Sequence, residues 1–145
     1  MERVYIHTKK IFFEAGILVF AIFILNTLAS TFYWYASIWW FDMPMHFLGG
    51  FWIGYMVLFL YGVRNNAKTD NSRSLLRVFW LLIVTVLIVG LCWEVFEFTV
   101  QAITHANLAN PLDSASDVFF DLAGGVASYL YAQVRGKIVY KNDIL

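Results

Sequence analysis

The amino-acid sequence predicts an all-α fold, a membrane-embedded bundle of four transmembrane helices. Hydrophobic residues make up 61% of the 145 residues and charged residues 14%, whereas a typical soluble domain is about 45–50% apolar and about 25% charged. A chain of this length cannot hide so much apolar surface in a core of its own. The ten basic residues are balanced by ten acidic ones and there is one cysteine, which excludes a basic nucleic-acid-binding domain and a disulfide scaffold.

Four stretches are long and apolar enough to be transmembrane helices, each of which needs roughly 20 mostly apolar residues. Their length favours helices over buried strands. The first span is predicted to be retained rather than cleaved, because its apolar run exceeds the core of about 7–15 residues in a signal peptide and contains Glu14 and Asn26. The chain, residues 1–145, is predicted as a single integral membrane domain with spans at about Ile11–Ser30, Met43–Gly62, Val78–Ile103 and Asp113–Val134.

The basic residues predict the orientation of these spans. Three precede the first span, four lie between the second and the third, and three follow the fourth. The other two connections, residues 31–42 and 104–112, contain no Lys or Arg. Because positively charged loops stay on the cytoplasmic side, both termini and the middle loop are predicted to be cytoplasmic.

An aromatic segment, residues 32–41, connects the first two spans on the outer side. It contains Phe32-Tyr33-Trp34-Tyr35 and Trp39-Trp40-Phe41. Such residues typically form a belt at the membrane interface. A lipid-facing platform beside a binding site is the alternative interpretation, and the two are compatible.

Acidic residues concentrate on the side opposite the basic ones. Glu14 lies in the first turns of the first span, where it can snorkel to the cytoplasmic side. The outer halves of spans two to four contain six of the ten carboxylates. Residues three or four apart share a helix face, so the acidic residues form one polar stripe on each span. Small residues on the same faces let membrane helices approach closely. We therefore expect the stripes to face one another: Asp42 with His46, then Glu94, Glu97 and Gln101, then Asp113, Asp117 and Asp121.

Such a group of carboxylates indicates a functional site. An ionised carboxylate costs several kcal/mol in hydrocarbon, and intramembrane acids usually face a wet or protein-lined interior. Without an intramembrane Lys or Arg to pair them, they must share protons or bind a cation. Oxygen ligands with one imidazole suit magnesium, calcium, manganese or zinc. The sequence predicts a divalent metal ion with ligands among Glu94, Glu97, Asp117, Asp121, Asp42 and Asp113. His46, as ligand or general base, and Asp117 are the candidate catalytic residues.

These motifs resemble the VanZ-like membrane proteins and, more closely, their YjdF-like relatives. The resemblance covers about Phe41 to Ser128, and its specificity lies in the order and spacing of short motifs. It rests on Asp42 with His46-Phe47, on Glu94-x-x-Glu97, and on Asp117-x-x-x-Asp121 with Gly124-Gly125.

Three departures favour the YjdF-like branch. Met43-Pro44 replaces the Lys that often follows the Asp in VanZ-like proteins, Glu97 stands at their Gln, and Asp121 stands at their Asn. The glycopeptide-antibiotic resistance associated with VanZ itself is therefore not transferred to this chain. The resemblance implies a protein of a bacterial-type cell membrane and supplies no catalytic mechanism.

Three functions from different classes fit these observations. The first is an outward-facing Asp/Glu/His pocket that binds a divalent cation and the phosphate of a lipid or cell-wall-precursor head group, with hydrolysis or transfer as the reaction if there is one. The second is a cation or proton transporter, since intramembrane acids serve such relays. The third is a non-enzymatic accessory protein in which protonated acids only join helices.

Overall fold

The computed structural model describes residues 2–65, 75–104, 111–136 and 138–142. Within these ranges the chain forms five α-helices between two short β-strands. In chain order they are β1 (Glu2–Ile6), α1 (Thr8–Thr31), α2 (Trp34–Ser37), α3 (Asp42–Asn65), α4 (Leu75–Thr104), α5 (Pro111–Val134) and β2 (Ile138–Asn142).

Three of these helices are long and apolar enough to cross a membrane: α1, α3 over Asp42–Arg64, and α4 over Leu76–Thr104. They correspond to the first three predicted spans. The fourth predicted span coincides with α5, which has 24 residues like α3, or about 36 Å of helix. Three aspartates lower its hydropathy, and α5 does not qualify as a span by composition. A fourth crossing therefore stays a prediction.

The chain ends form a small antiparallel sheet that the all-α prediction did not include. Strand β1 pairs with β2, with Glu2 opposite Asn142 and Ile6 opposite Ile138. The pairing joins residues more than a hundred positions apart, so the hydrophobic periodicity of a short segment cannot predict it. The sheet places both ends of the chain at the same end of the bundle.

A left-handed residue ends the first helix. The backbone N–H of Phe32 bonds to the carbonyl of Leu28 at 2.8 Å, and Tyr33 follows with φ 57° and ψ 34°. This conformation is uncommon for a residue with a side chain. It redirects the chain into α2, which leads to the start of α3.

Helix α3 packs against α1, α4 and α5, and its contact with α5 is the closest. A Cβ atom on Gly50 would collide with the backbone carbonyl of Asp121, and one on Gly124 with the carbonyl of Phe47. Gly54 meets Ser128 further along, so the two helices run parallel. Only residues without a side chain permit backbones to come this close.

The hydrophobic core fills the half of the bundle that carries the strands. It is formed by Ile6, Ile11, Ala15, Tyr55, Val57, Leu58, Val78, Leu82, Val86, Tyr129 and Ala132. Polar side chains occupy the corresponding space in the other half, as described below.

Two hydrogen bonds attach α1 to α3. The hydroxyl of Tyr55 donates to Glu14 Oε2 at 2.9 Å, and the indole N–H of Trp52 donates to the carbonyl of Ala15 at 3.1 Å. The carboxylate of Glu14, for which the sequence offered only snorkelling to the cytoplasmic side, thus has a hydrogen-bond donor on α3.

Candidate metal centre

The candidate site lies at the end of the bundle opposite the β-strands. The first turns of α3 and α5 and the last turns of α4 meet there, because α3 and α5 run parallel to each other and antiparallel to α4. The helical spacing of the polar residues turns each stripe toward the common centre. We refer to this centre, formed by Asp42, His46, Glu94, Glu97, Asp117 and Asp121, as the acidic pocket.

His46 is the central residue of the acidic pocket. Its Nε2 atom lies 3.7 Å from Asp42 Oδ1 and 3.9 Å from Asp117 Oδ2. Its Nδ1 atom lies 3.5 Å from Asp121 Oδ1. His46, Asp117 and Asp121 are 7%, 2% and 5% exposed, whereas the side chain of Asp42 is 35% exposed. One imidazole thus joins a carboxylate of its own helix to two carboxylates of α5.

Helix α4 supplies the other side of the acidic pocket. Glu94, Glu97 and His46 offer three ligand atoms within 4.8 Å of one another, and Asp42, His46 and Asp117 offer a second such set. The indole N–H of Trp93 donates to Glu97 Oε1 at 2.9 Å. Glu94 Oε1 is enclosed and accepts no hydrogen bond from any residue in the described ranges. An enclosed oxygen without a donor is costly unless a proton or a cation satisfies it.

Glycines allow the carboxylate of Asp121 to enter between the helices. A Cβ atom on Gly90 of α4 would lie 2.6 Å from Asp121 Oδ2, and one on Gly49 of α3 would lie 4.0 Å from Asp121 Oδ1. A side chain at position 90 would therefore displace the carboxylate. The predicted role of small residues in drawing the polar stripes together is observed here.

The structure brings five of the six predicted acids around His46 and leaves one outside. Asp113 is exposed, lies one turn before Asp117 on α5, and belongs to neither set of ligand atoms. The helix begins at Pro111, so Asp113 falls in its first turn. A negative charge at this position stabilises the helix by interacting with the positive end of the helix dipole.

Two aromatic residues next to the acidic pocket were not predicted as part of a site. Tyr35 of α2 donates to Asn26 Oδ1 at 2.8 Å, and its ring packs against Phe41 with centroids 5.3 Å apart. Burial, and then the carboxylates of Asp42 and Glu97, raise the pKa of the Tyr35 hydroxyl. In the sequence, Tyr35 belongs to the aromatic segment, interpreted as an interfacial belt or as a platform beside a binding site, and no role in the site itself was predicted for it.

Trp93 carried one signal in the sequence that could have identified it. It stands four residues before Glu97, and residues at this spacing are neighbours on a helix. Trp93 is 49% exposed, so its ring lies at the outer surface of α4 while its N–H reaches the pocket.

Each of the two sets offers two carboxylates and one imidazole nitrogen as possible ligands of a cation. Oxygen ligands predominate, which suits a hard divalent ion, and one histidine also permits zinc or manganese. His46 belongs to both sets of ligand atoms, so it is the residue on which any such ion would depend most.

One protein family matches this chain over residues 7–137, and it is described as a predicted membrane protein family, DUF2238. The matched range contains α1 to α5 and every residue of the acidic pocket. The match agrees with the predicted YjdF-like branch, while a VanZ-like relationship stays a prediction. No curated protein and no solved structure matches the chain.

Proposed function

Because the chain belongs to the DUF2238 family of predicted membrane proteins, we propose that it is a four-span protein of a bacterial-type plasma membrane. The packing of α5 supports the fourth span. Helix α5 runs parallel to α3, has the same length, and contacts its backbone at Gly50 and Gly124. A helix in such contact with a membrane-crossing neighbour shares its depth. Four spans and the one-sided Lys and Arg residues then put both termini in the cytoplasm.

The acidic pocket binds a divalent cation in this proposal. The observation that carries it is the position of His46, which is buried and within 3.9 Å of carboxylate oxygens from Asp42, Asp117 and Asp121. Several carboxylates crowded at this depth repel one another unless a cation or shared protons compensate them. The enclosed Glu94 Oε1 is a further oxygen that a cation would satisfy.

A divalent cation held by these residues would bind the phosphate of a lipid or cell-wall-precursor head group. A divalent ion bridges phosphate oxygens and activates water for attack on phosphorus. The reaction class would then be metal-dependent hydrolysis or transfer, with His46 as a ligand or the general base and Asp117 beside it. A head group would reach the pocket on the side of Asp42, whose side chain is 35% exposed.

Binding measurements on the purified protein in detergent test this function. In equilibrium dialysis, the wild type should retain Mn²⁺ and release it to chelator, and His46→Gln should lose this retention. His7→Gln, on the residue before α1 at the other end of the bundle, is the matched control and should bind normally. Dihexanoyl phosphatidic acid should bind only with the metal present, while dihexanoylglycerol, which has no phosphate, should not bind.

Two other functions predict different results. A non-enzymatic accessory protein with structural acids would retain no Mn²⁺. A transporter would move cations or protons across proteoliposomes. The contact between α3 and α5 weighs against transport, because there is no space for even a Cβ atom at Gly50 and Gly124, directly below the carboxylates. Cation flux that depends on Asp121 would favour the transporter.

A further inference from the structure

We infer that Trp93 is a positioning residue, which holds the carboxylate of Glu97 in the orientation that the bound cation requires. The inference rests on the proposed function, since it concerns the same acidic pocket. Its basis is the hydrogen bond of 2.9 Å from Trp93 Nε1 to Glu97 Oε1 across one turn of α4.

The chemistry of an indole suits this role. Its N–H group only donates, so it cannot pass a proton through the site or bind the metal ion itself. The donor holds Oε1 and so restricts rotation of the Glu97 carboxylate. The second oxygen keeps its acceptor positions for the cation. Hydrogen-bonded partners of this kind are general among metal-ligating side chains.

The uneven burial of the pocket explains why Glu97 needs such a partner. On α3 and α5, His46, Asp117 and Asp121 are almost fully enclosed, so packing alone restricts their rotamers. Glu97 is only partly buried and has a long, flexible side chain. Trp93 replaces the missing packing, and its own ring is held by Phe96 at 5.4 Å between centroids.

Zinc titrations of the wild type and two tryptophan variants test the inference. Trp93→Phe keeps an aromatic ring beside Phe96 and removes the donor. We expect it to raise the dissociation constant for Zn²⁺ about tenfold or more, the usual effect of losing such a partner. Without metal, its melting temperature should match that of Trp80→Phe. Trp80 lies on the same helix far from the pocket and is 56% exposed, so Trp80→Phe should bind Zn²⁺ like the wild type.

A spectroscopic measurement separates positioning from a general effect on folding. In the wild type labelled with ¹⁵N at the indoles, the N–H resonance of Trp93 should move on Zn²⁺ addition, because the metal withdraws charge from Glu97. The resonance missing from Trp93→Phe and Trp93→Tyr identifies it. The positioning role is wrong, while the metal site stands, if two results hold together. Zn²⁺ binds the wild type without moving this resonance, and Trp93→Phe binds Zn²⁺ as tightly as the wild type. If the wild type shows no saturable Zn²⁺ binding, both proposals fail.

Discussion

His46 Nδ1 on α3 lies 3.5 Å from Asp121 Oδ1 on α5, and both side chains are more than nine-tenths buried. This pair depends on the close approach of the two helices, because Gly50 packs against the backbone carbonyl of Asp121 itself. The same residue of α5 thus supplies a backbone contact that joins the helices and a side chain that enters the pocket. Helix packing and site geometry are therefore coupled at Asp121.

The first prediction concerns the response of stability to metal. A ligand that binds the folded protein and not the separated helices stabilises it, by about 2.7 kcal/mol at one hundred times its dissociation constant. The melting temperature in detergent should therefore rise with magnesium, calcium, manganese or zinc and fall with chelator. Asp121→Asn should blunt this response because it removes one negative ligand. Asp143→Asn, close to the C-terminus in the sequence and outside the described residues, should keep it.

If the acids serve only as packing residues, the opposite pattern follows. None of the four metals would then change the melting temperature, and Asp121→Asn would be as stable as the wild type or more so, since an amide is cheaper to bury than a carboxylate.

The second prediction concerns the contact between α3 and α5. Gly50→Ala should lower the free energy of unfolding by about 1–3 kcal/mol, the usual cost of overpacking, because its Cβ atom has no space beside the Asp121 carbonyl. It should also weaken metal binding, since Asp121 must move. Gly16→Ala on α1 is the matched control, because its Cβ atom would meet nothing within 4 Å. Equal stability of the two variants in thermal denaturation would show that the contact is not close.

The third prediction concerns the ionisation of Tyr35. Burial and the carboxylates of Asp42 and Glu97 raise the pKa of its hydroxyl above the usual 10.0. Because the folded protein disfavours the phenolate, this contribution to stability is present below pH 10 and is lost as the pH rises through the raised pKa. In an absorbance titration at 295 nm, the curve of Tyr35→Phe is subtracted from that of the wild type. The difference should show that Tyr35 ionises at a pH above its usual pKa of 10.0. Asp42→Asn should bring its pKa down toward the ordinary value, and an unchanged titration would place Asp42 too far away to matter.

The fourth prediction concerns orientation. All ten basic residues fall on one side of the predicted spans, so reporter fusions at Asn66 and Lys141 should read cytoplasmic. A fusion at Asn107, which lies outside the described residues, should read external. A cytoplasmic signal at Asn107 would contradict the four-span topology. If Asn107 and Lys141 instead read the same side, α5 does not cross the membrane.

The features that could be predicted from the sequence are local ones. Composition and the length of the apolar stretches predicted α1, α3 and α4 as membrane-crossing helices, because hydrophobicity and helical period are properties of neighbouring residues. The spacing of Asp42 and His46, or of Asp117 and Asp121, placed each pair on one face for the same reason. The gathering of acids in one half of the molecule also follows from position along the spans.

Only the tertiary structure decided which of these faces meet and at what distance. The rotation and approach of α3 and α5 are determined by Gly50 and Gly124 against the facing backbone, and they place Asp121 beside His46 while Asp113 stays exposed. Glu14 paired with Tyr55, and β1 with β2, through contacts between distant parts of the chain. Each of these depends on how complete elements pack in three dimensions, which the pattern within a single helix or strand does not contain.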